Sequence, residues 1–389
     1  MRVRSFEAER RAATRRSDDN RTMAGPPLAR VAAVVVCAAL ALGAAGCGGG
    51  GDEAADGRTL ADVQAAVKGL HGDELTSKLA ELAADEPGTL TLYTSLTDEL
   101  SDELAEMFRK RYGVAVKVYA ASSDDIAQRM SEESAAGHRG ADLVEVNVPV
   151  LIALSRAGLL ADRVPVDTQG IAGSLIGKGW IAHEFIRFAV SWNSKHVPPG
   201  SEPKRWEDLA DPRWDGKVGM ELGDFDWYAG LRSYWEQQGK SAAEIDRLFG
   251  AIAQGAKVIK GHSLIAQLLA SGEISAGVDY SHLIGRAAKE GAPLAWKPVV
   301  EPVFLRSQGM GFAAGSPRPA TAALYVQWVL TAVQDRYASD GWVPVRGAAA
   351  SGREFEQIVL DAKAITANEK RWSNEYDRLM RRGTIVPEG

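Results

Sequence analysis

Hydroxyl and amide side chains follow three apolar segments in the first half of the chain. Such side chains bind the polar atoms of small molecules, and in α/β proteins ligands lie beyond the carboxyl ends of the strands. Helix N-termini at these positions also offer backbone N–H groups to ligand oxygens or anions. The alternative is an ordinary helix cap, worth about 1 kcal/mol, and both interpretations stay open. The candidate ligand-binding residues of this kind are Thr94, Ser95, Ser122, Ser123, Asn147 and, at the start of a later helix, Ser263.

A second group of candidates combines carboxylates with aromatic rings. The segment ELGDFDWYAG (221–230) predicts a loop whose acids and rings suit a cationic amine or a stacked sugar. The alternative is a solvated turn with one ring anchored in the core. Further along, a strand that ends in Asp-Tyr should point toward the same site, and one acid lies at a predicted crossing of the chain. The candidate ligand-binding residues of this group are Asp224, Trp227, Tyr228, Asp279, Tyr280 and Glu301.

Known catalytic motifs are absent from the sequence. GSLIGKG (173–179) lacks the spacing and the Ser or Thr of a phosphate-binding loop, and GMGFAAG (309–315) misses the dinucleotide-binding spacing. Neither G-x-S-x-G nor H-E-x-x-H occurs. The six histidines are scattered, without the helical spacing of metal ligands. We therefore expect no enzymatic activity, no cofactor and no resident metal; a secreted, lipid-anchored hydrolase is the alternative from another class.

One of the two cysteines lies at a predicted processing site. The uncharged run VAAVVVCAALALGAA (31–45) follows basic residues and is shorter than the ~20 residues of a membrane-spanning helix. Such a run, ending in small residues, is typical of a secretory signal. AAGC (44–47) resembles a bacterial lipobox, with alanine in place of the usual leucine. Residues 1–46 are therefore predicted to be a signal peptide, with Met23 as an alternative start, and Cys47 to be the lipidated N-terminus.

Composition limits the partners of the mature chain. The formal charge at pH 7 is −6 for the whole chain and −10 without residues 1–46, which hold eight basic and four acidic residues. This charge argues against nucleic acid, which rewards clustered Lys and Arg. A glycine run, followed by Leu and Val at helical spacing, predicts a lipid-anchor tether with amphipathic helices over residues 47–87. Residues 88–389 exceed the size at which single hydrophobic cores stop growing, so two lobes are expected.

Strand and helix patterns alternate through this body. The stretch GTLTLYTSLTDELSDELAEMFRKRYGVAVKVYAASSDDIAQRM (88–130) predicts strand, helix, strand and helix, with Gly113 ending the first helix. Ser122 is typical of a cap for the second helix. Later units repeat the helix-to-strand order, and Pro317 or Pro319 should begin a helix. The alternation indicates an α/β fold with a mostly parallel sheet.

Five segments follow the order of one protein family: TLYTSL, VSWNSK, WEDLADPRWDGKVGM, ASGEISAG and GSPRPATAALYVQWVL with a later DGWVPVR. By these segments the body, about residues 85–380, resembles bacterial extracellular solute-binding proteins of the ferric-ion-binding type, the receptors of ABC importers. The resemblance implies a two-lobed class II periplasmic-binding-protein fold with a ligand cleft between the lobes. It also implies an exported monomer, held on the outer face of the cell membrane by its lipid anchor, whose partners are permease subunits and a small-molecule ligand.

The same resemblance places two crossings of the chain between the lobes, near residues 171–191 and 302–309. Arg187 and Arg306 lie near these crossings, where pairing at the surface or between the lobes is the expected role. The predicted domains are lobe 1, residues 88–190 with 307–350, and lobe 2, residues 191–306 with 351–389.

The ligand set of the ferric-ion binders is only partly matched. Those proteins use a histidine in the first loop, an acid after the third strand and two adjacent tyrosines in the second lobe. At roughly matching places this chain has Thr97, Asn147, Tyr280 and His282. Because Fe(III) requires several anionic oxygens, we expect a small organic solute, an anion or an amine, in place of bare iron. A ferric-iron receptor is the alternative.

Overall fold

The structure, a computed structural model, describes residues 57–346 and 354–386. The predicted signal peptide, residues 1–46, and the predicted lipid attachment site, Cys47, lie outside the described residues. Within the described part of the chain, no helix is long and apolar enough to cross a membrane.

Helices and strands alternate along the described chain, as the sequence pattern predicts. The helices are α1 (Leu60–Ala66), α2 (Gly72–Ala84), α3 (Asp98–Tyr112), α4 (Ser123–Ala135), α5 (Val148–Arg156), α6 (Phe225–Gln237), α7 (Ala242–Gln254), α8 (His262–Ser271), α9 (Ser281–Lys289), α10 (Pro319–Val329), α11 (Gln334–Ser339), α12 (Ala362–Ala367) and α13 (Glu369–Met380). The strands are β1 (Leu90–Thr94), β2 (Val116–Ala120), β3 (Leu143–Asn147), β4 (Ile176–Gly177), β5 (Trp180–Asn193), β6 (Val218–Glu221), β7 (Ala256–Ile259), β8 (Ala276–Tyr280), β9 (Leu294–Ala295), β10 (Val303–Phe312), β11 (Val343–Pro344), β12 (Gln357–Val359) and β13 (Thr384–Ile385). The predicted α/β class is therefore confirmed.

The main strands follow one hydrogen-bonded order, β13-β7-β6-β8-β5-β10-β3-β1-β2. At its centre the long strands β5 and β10 pair antiparallel, from Phe304 opposite Phe188 to Gly311 opposite Trp180. On one side β1 runs parallel to β2 and β3. On the other side β6 runs parallel to β7 and β8. Two parallel units therefore share a central antiparallel pair.

Buried apolar side chains form two large clusters. The first contains Phe108 of α3 and the apolar face of β1–β3. The second contains Phe249 of α7 together with apolar residues of β6–β8. Strand β5 contributes Phe185 to the first cluster and, three residues later, Phe188 to the second. We call the elements on the first cluster the first lobe, and β6–β8 with helices α6–α9 and α13 the second lobe.

The described part of the predicted tether region belongs to the first lobe. Helices α1 and α2 are present, as the helical spacing predicts, and bury Val63, Leu75 and Leu79 in the first cluster. Helix α2 packs along α10. The two predicted amphipathic helices therefore pack against the core of the first lobe.

Local signals set most helix ends as predicted. Helix α3 ends at Gly113, whose φ of +74° is a left-handed conformation that glycine adopts without strain. Ser122 caps α4, and Pro319 is the first residue of α10. One boundary differs from the prediction: Gly261 precedes α8, so Ser263 lies inside the first turn and does not cap it.

Candidate functional site

A cavity of about 770 Å³ lies between the two lobes. Its walls are the carboxyl ends of strands from both parallel units and the first turns of the helices that follow them, which is where ligands bind in open α/β sheets. Strand β10 adds Arg306 and Gln308. The sequence candidates that line the cavity are Ser95, Ser122, Ser123 and Asn147 from the first lobe, and Asp224, Ser263 and Tyr280 from the second. For each of them, contact with a ligand stays a prediction.

Two first-lobe candidates also hold their own helices. The Ser122 Oγ accepts the N–H of Asp125 at 3.1 Å and donates to its carboxylate at 2.7 Å. The Asn147 Oδ1 accepts the N–H of Val150 at 3.0 Å. Both interpretations of these residues are therefore compatible, since each side chain caps a helix and also faces the cavity.

Arg306 is the centre of a buried ion-pair network in the second-lobe wall. Its Nε donates to Asp226 at 2.6 Å, and one Nη donates to Asp224 at 2.8 Å. The other Nη donates to the Tyr280 hydroxyl at 2.5 Å. The guanidinium lies over the ring of Phe188, 4.4 Å from its centroid, and its side chain is only 11% exposed. The network therefore joins β10 to the β6–α6 loop and to the end of β8.

The sequence analysis missed Arg306 and Gln308 as cleft residues. Both lie in VFLRSQGMGF, ten consecutive buried residues that form β10. A charged side chain inside such a strand requires an opposite charge nearby. An arginine within this apolar run was therefore the feature of the sequence that indicated a buried ion pair. The surface or interlobe pairing expected for Arg306 is wrong, because its partners Asp224 and Asp226 are buried with it in one wall.

His262, which the sequence analysis also missed, lies between two carboxylates. Its Nδ1 is 3.0 Å from an Asp279 oxygen and its Nε2 is 3.2 Å from an Asp224 oxygen. The ring stacks on Tyr280, with centroids 3.6 Å apart. Burial lowers the pKa of His262, but Asp224 and Asp279 raise it to about 10. The imidazolium donates from both nitrogens, so this histidine is not arranged as a general base for a serine hydroxyl.

The carboxyl groups around His262 differ in the direction of their pKa shifts. Burial raises the pKa of Asp279, although His262 lowers it in part. Burial and the neighbouring Asp224 raise the pKa of Glu221. For Asp224, burial acts in the same direction, but His262 and Arg306 hold its pKa below the ordinary value. Asp224 is therefore the carboxylate that contacts both buried cations of the wall, Arg306 and His262.

The phenol and the second histidine of the wall are neutral. Burial raises the pKa of the Tyr280 hydroxyl well above its usual value, although Arg306 opposes this. Burial, together with His262 and Arg286, lowers the pKa of His282 to about 3. Across residues 57–346 and 354–386, no group of three or more His, Cys, Asp or Glu side chains is placed to hold a metal ion.

Two aromatic candidates belong to the core of the second lobe. The segment 221–230 is not a loop throughout, because α6 begins within it. Trp227 packs against Trp206, with ring centroids 5.3 Å apart, and the hydroxyl of Tyr228 accepts a hydrogen bond from Arg232 at 3.1 Å. Both rings are at most 1% exposed. The helix turns them into the core, so neither lines the cavity.

Three further candidates also lie off the cavity. The Thr94 hydroxyl donates to the buried Glu145 at 2.8 Å. Asp279 is fully buried, and its carboxylate orients the neighbouring imidazole. Glu301 accepts the N–H of Glu356 at 2.8 Å on an exposed segment. Their position near a strand end or crossing was predicted, but each side chain contacts another group of the protein.

Residues 103–364, more than half of the chain, match the model of a family described as bacterial extracellular solute-binding protein. The chain belongs to this family. It is 22% identical over 267 residues to the Fe(3+)-binding periplasmic protein of Serratia marcescens, an alignment that covers 64% of this chain and 75% of that protein. The predicted family is therefore confirmed, and it is a family of solute-binding proteins rather than of enzymes.

Solved structures share the two-lobed fold. AfuA of Actinobacillus pleuropneumoniae, with fructose-6-phosphate bound, has a TM-score of 0.64 and 17% identity over 76% of this chain and 99% of that chain. Iron-bound HitA from Pseudomonas aeruginosa has a TM-score of 0.60 and 18% identity over 75% of this chain and 99% of that chain. These similarities confirm the predicted two-lobed periplasmic-binding-protein fold. Their ligands are chemically unlike each other, so the fold leaves the ligand of this chain open.

Proposed function

We propose that this chain is the exported receptor of an ABC importer and that it closes around a small organic solute in place of bare iron. Membership of the solute-binding family supports the receptor role. The observation that carries the choice of ligand concerns Tyr280, which the resemblance to ferric-ion binders matches roughly to their two adjacent tyrosines. Burial raises the pKa of its phenol, although Arg306 opposes this, and its oxygen accepts an N–H of Arg306 at 2.5 Å.

Iron chemistry requires a different donor set. Fe(III) needs several anionic oxygens to replace its lost hydration, phenolate among them. The carboxylates of Asp224 and Asp226 both accept hydrogen bonds from Arg306. On the first lobe, the Asn147 Oδ1 is occupied by the N–H of Val150. Hydroxyl, amide and ring surfaces remain for an organic solute, the mixture typical of small-molecule sites.

The two long central strands supply the proposed hinge. Strands β5 and β10 each contribute side chains to both hydrophobic clusters, so each runs from one lobe into the other. The predicted lobe boundaries, at residues 190/191 and 306/307, lie within these strands, whereas the side chains of β5 change from the first cluster to the second between Phe185 and Phe188. Rotation at a few such residues would close the cleft, and a solute stabilises the closed form by its differential affinity for it.

The test is the identity of the molecule that the protein carries. Mass spectrometry of small molecules released from the purified protein is expected to find one organic solute and no stoichiometric iron. Titration of the emptied protein with ferric nitrilotriacetate should give no tyrosinate-to-iron absorption band. Tyr280→Phe serves as the diagnostic variant and Tyr112→Phe, half-buried on α3, as its control. A band at one equivalent that only Tyr280→Phe removes would establish the ferric-iron alternative.

The membrane anchor is a separate part of the proposal. The apolar run before Cys47 and the small residues next to it support lipidation of this thiol. Cys47→Ser is expected to move the protein from the membrane fraction to the soluble exported fraction, with Cys37→Ser as control. A Cys47→Ser protein that withstands alkaline washing of the membranes would mean that residues 31–45 are themselves the anchor.

A further inference from the structure

Carboxylates exceed basic groups along the cleft. Among the described residues that line it, six are acidic, whereas Arg306 and His262 are the charged bases. His282 is the other histidine of the lining and is neutral at physiological pH. The acidic residues are Asp98, Asp124, Glu221, Asp224, Asp226 and Glu369.

The two positive charges are already compensated within the wall. Arg306 is hydrogen-bonded to Asp224 and Asp226, and His262 lies between Asp224 and Asp279. Glu221 stands beside this group; burial raises its pKa first and the Asp224 charge raises it further, while His262 lowers it in part. The field that the cleft presents to a solute is therefore negative.

A buried acceptor faces the same cavity. Gln308 lines the cleft and is 5% exposed, and its Nε2 donates to the Ser95 hydroxyl at 3.3 Å. Its Oε1 has no hydrogen-bond partner within the described residues. A buried carbonyl oxygen left without a donor costs about 1–3 kcal/mol. The oxygen itself has almost no exposed surface, so a solute N–H donor reaches it only when the Gln308 side chain turns toward the cavity; such a donor would remove this cost, whereas an anion would not.

Aromatic surfaces complete the lining. Phe225 of the second lobe and Trp342 of the first line the cavity, whereas the ring face of Tyr280 is covered by His262. The ring of Trp342 meets His282 edge-on, with centroids 5.0 Å apart. Ring faces attract cations through their quadrupole, by about 0.5–2 kcal/mol depending on desolvation. Charge, acceptor and ring surfaces thus favour the same kind of solute.

We infer that the solute is an organic cation with N–H donors, a protonated amine, bound between the carboxylates of both lobes with a donor to Gln308. This inference rests on the proposed receptor function and specifies its ligand class. The competing class is a phosphorylated or carboxylated anion, which helix N-termini at the cleft would favour. Asp98 and Asp124 lie in the first turns of α3 and α4 and offset that positive end.

Calorimetric titration of the whole purified protein with a matched pair of amines and with one anion tests the inference. 1,4-Diaminobutane is expected to bind at least about tenfold more tightly than its fully methylated analogue, which has the charges without the N–H donors. Fructose-6-phosphate, the anionic probe, is expected not to bind. In Gln308→Met the preference for the unmethylated amine should fall by about tenfold.

Two double variants that remove the same number of charges distinguish the effect of cleft charge on binding from the effect of first-turn acids on helix stability. Asp98→Asn with Asp124→Asn removes two first-turn acids at the cleft, and Asp73→Asn with Glu74→Gln removes two from α2, off the cleft. The first pair is expected to weaken diamine binding by about tenfold and to reduce its salt dependence. The second pair should leave affinity within about twofold of the unmodified protein.

The contrary outcomes overturn either the cation assignment alone or the receptor function as well. Binding of fructose-6-phosphate without the diamine, or release of an anionic or neutral molecule on denaturation, would overturn the cation assignment and leave the receptor function intact. Equal effects of the two charge pairs on affinity would do the same. If neither the diamine nor fructose-6-phosphate binds, release of a protonated amine from the denatured protein still supports the inference. A protein that binds no probe and releases no small molecule would overturn the receptor function together with it.

Discussion

Arg306→Met is expected to lower the free energy of unfolding by about 3–5 kcal/mol. The guanidinium is the donor for Asp226 and Asp224 at 2.6 and 2.8 Å, and all three groups are buried. Without it, two buried carboxylates would lie close together, with His262 as the remaining counter-charge of Asp224. Urea denaturation, followed by tryptophan fluorescence, measures the loss.

Two comparisons isolate the buried charges as the cause. Arg371→Met breaks an exposed pair with Glu375, 3.2 Å apart, and should cost at most about 1 kcal/mol. Adding Asp224→Asn and Asp226→Asn to Arg306→Met should restore part of the loss, because no uncompensated carboxylate then remains. A loss of less than about 1 kcal/mol for Arg306→Met, or no recovery in the triple variant, would contradict the ion-pair network as described.

Glu184→Gln is expected to raise the free energy of unfolding at about pH 8 by about 1–3 kcal/mol. Glu184 lies on β5 with no exposed surface, and within the described residues neither carboxyl oxygen has a hydrogen-bond partner. Burial and the nearby Glu145 raise its pKa well above the ordinary value. Glutamine has the same shape without the charge, so the variant removes the penalty of ionisation.

The pH dependence gives the sign of the effect. Because the pKa of Glu184 is higher in the folded state, its contribution to stability is fully present below the unfolded value of about 4.5. It is lost as the pH rises through the folded pKa. Unfolding curves at about pH 5 and about pH 8 should therefore differ less for Glu184→Gln than for the unmodified protein.

Glu106→Gln provides the opposite case on the surface. The Glu106 side chain is 43% exposed, and its hydrogen bond from Arg109 holds its pKa at about 2. Its replacement should leave stability at about pH 8 unchanged or slightly lower, and it should never raise it. If Glu184→Gln behaves in the same way, the carboxyl must have a partner that compensates its charge in the folded protein.

The sequence alone determined the local structure and the family. The apolar face of α3, with Leu100, Leu104 and Phe108 buried, follows from helical periodicity. Gly113 and Pro319 mark helix ends through their own backbone preferences. Several hydroxyl and amide candidates reach the cleft because parallel strands end at a common edge, so a residue just after a strand is placed by the strand itself.

The tertiary structure decided which side chains face the cleft and which groups pair. Trp227 and Tyr228 were placed in a loop, but α6 begins in that segment and turns both rings into the core. Arg306 is about 80 residues from its carboxylate partners, and the strand order β6-β8-β5-β10 brings them together. Such contacts depend on sheet order and register, which no local pattern of residues encodes. The charge of the candidate site was therefore set by long-range packing, whereas its position in the fold was already set by the order of strands and helices.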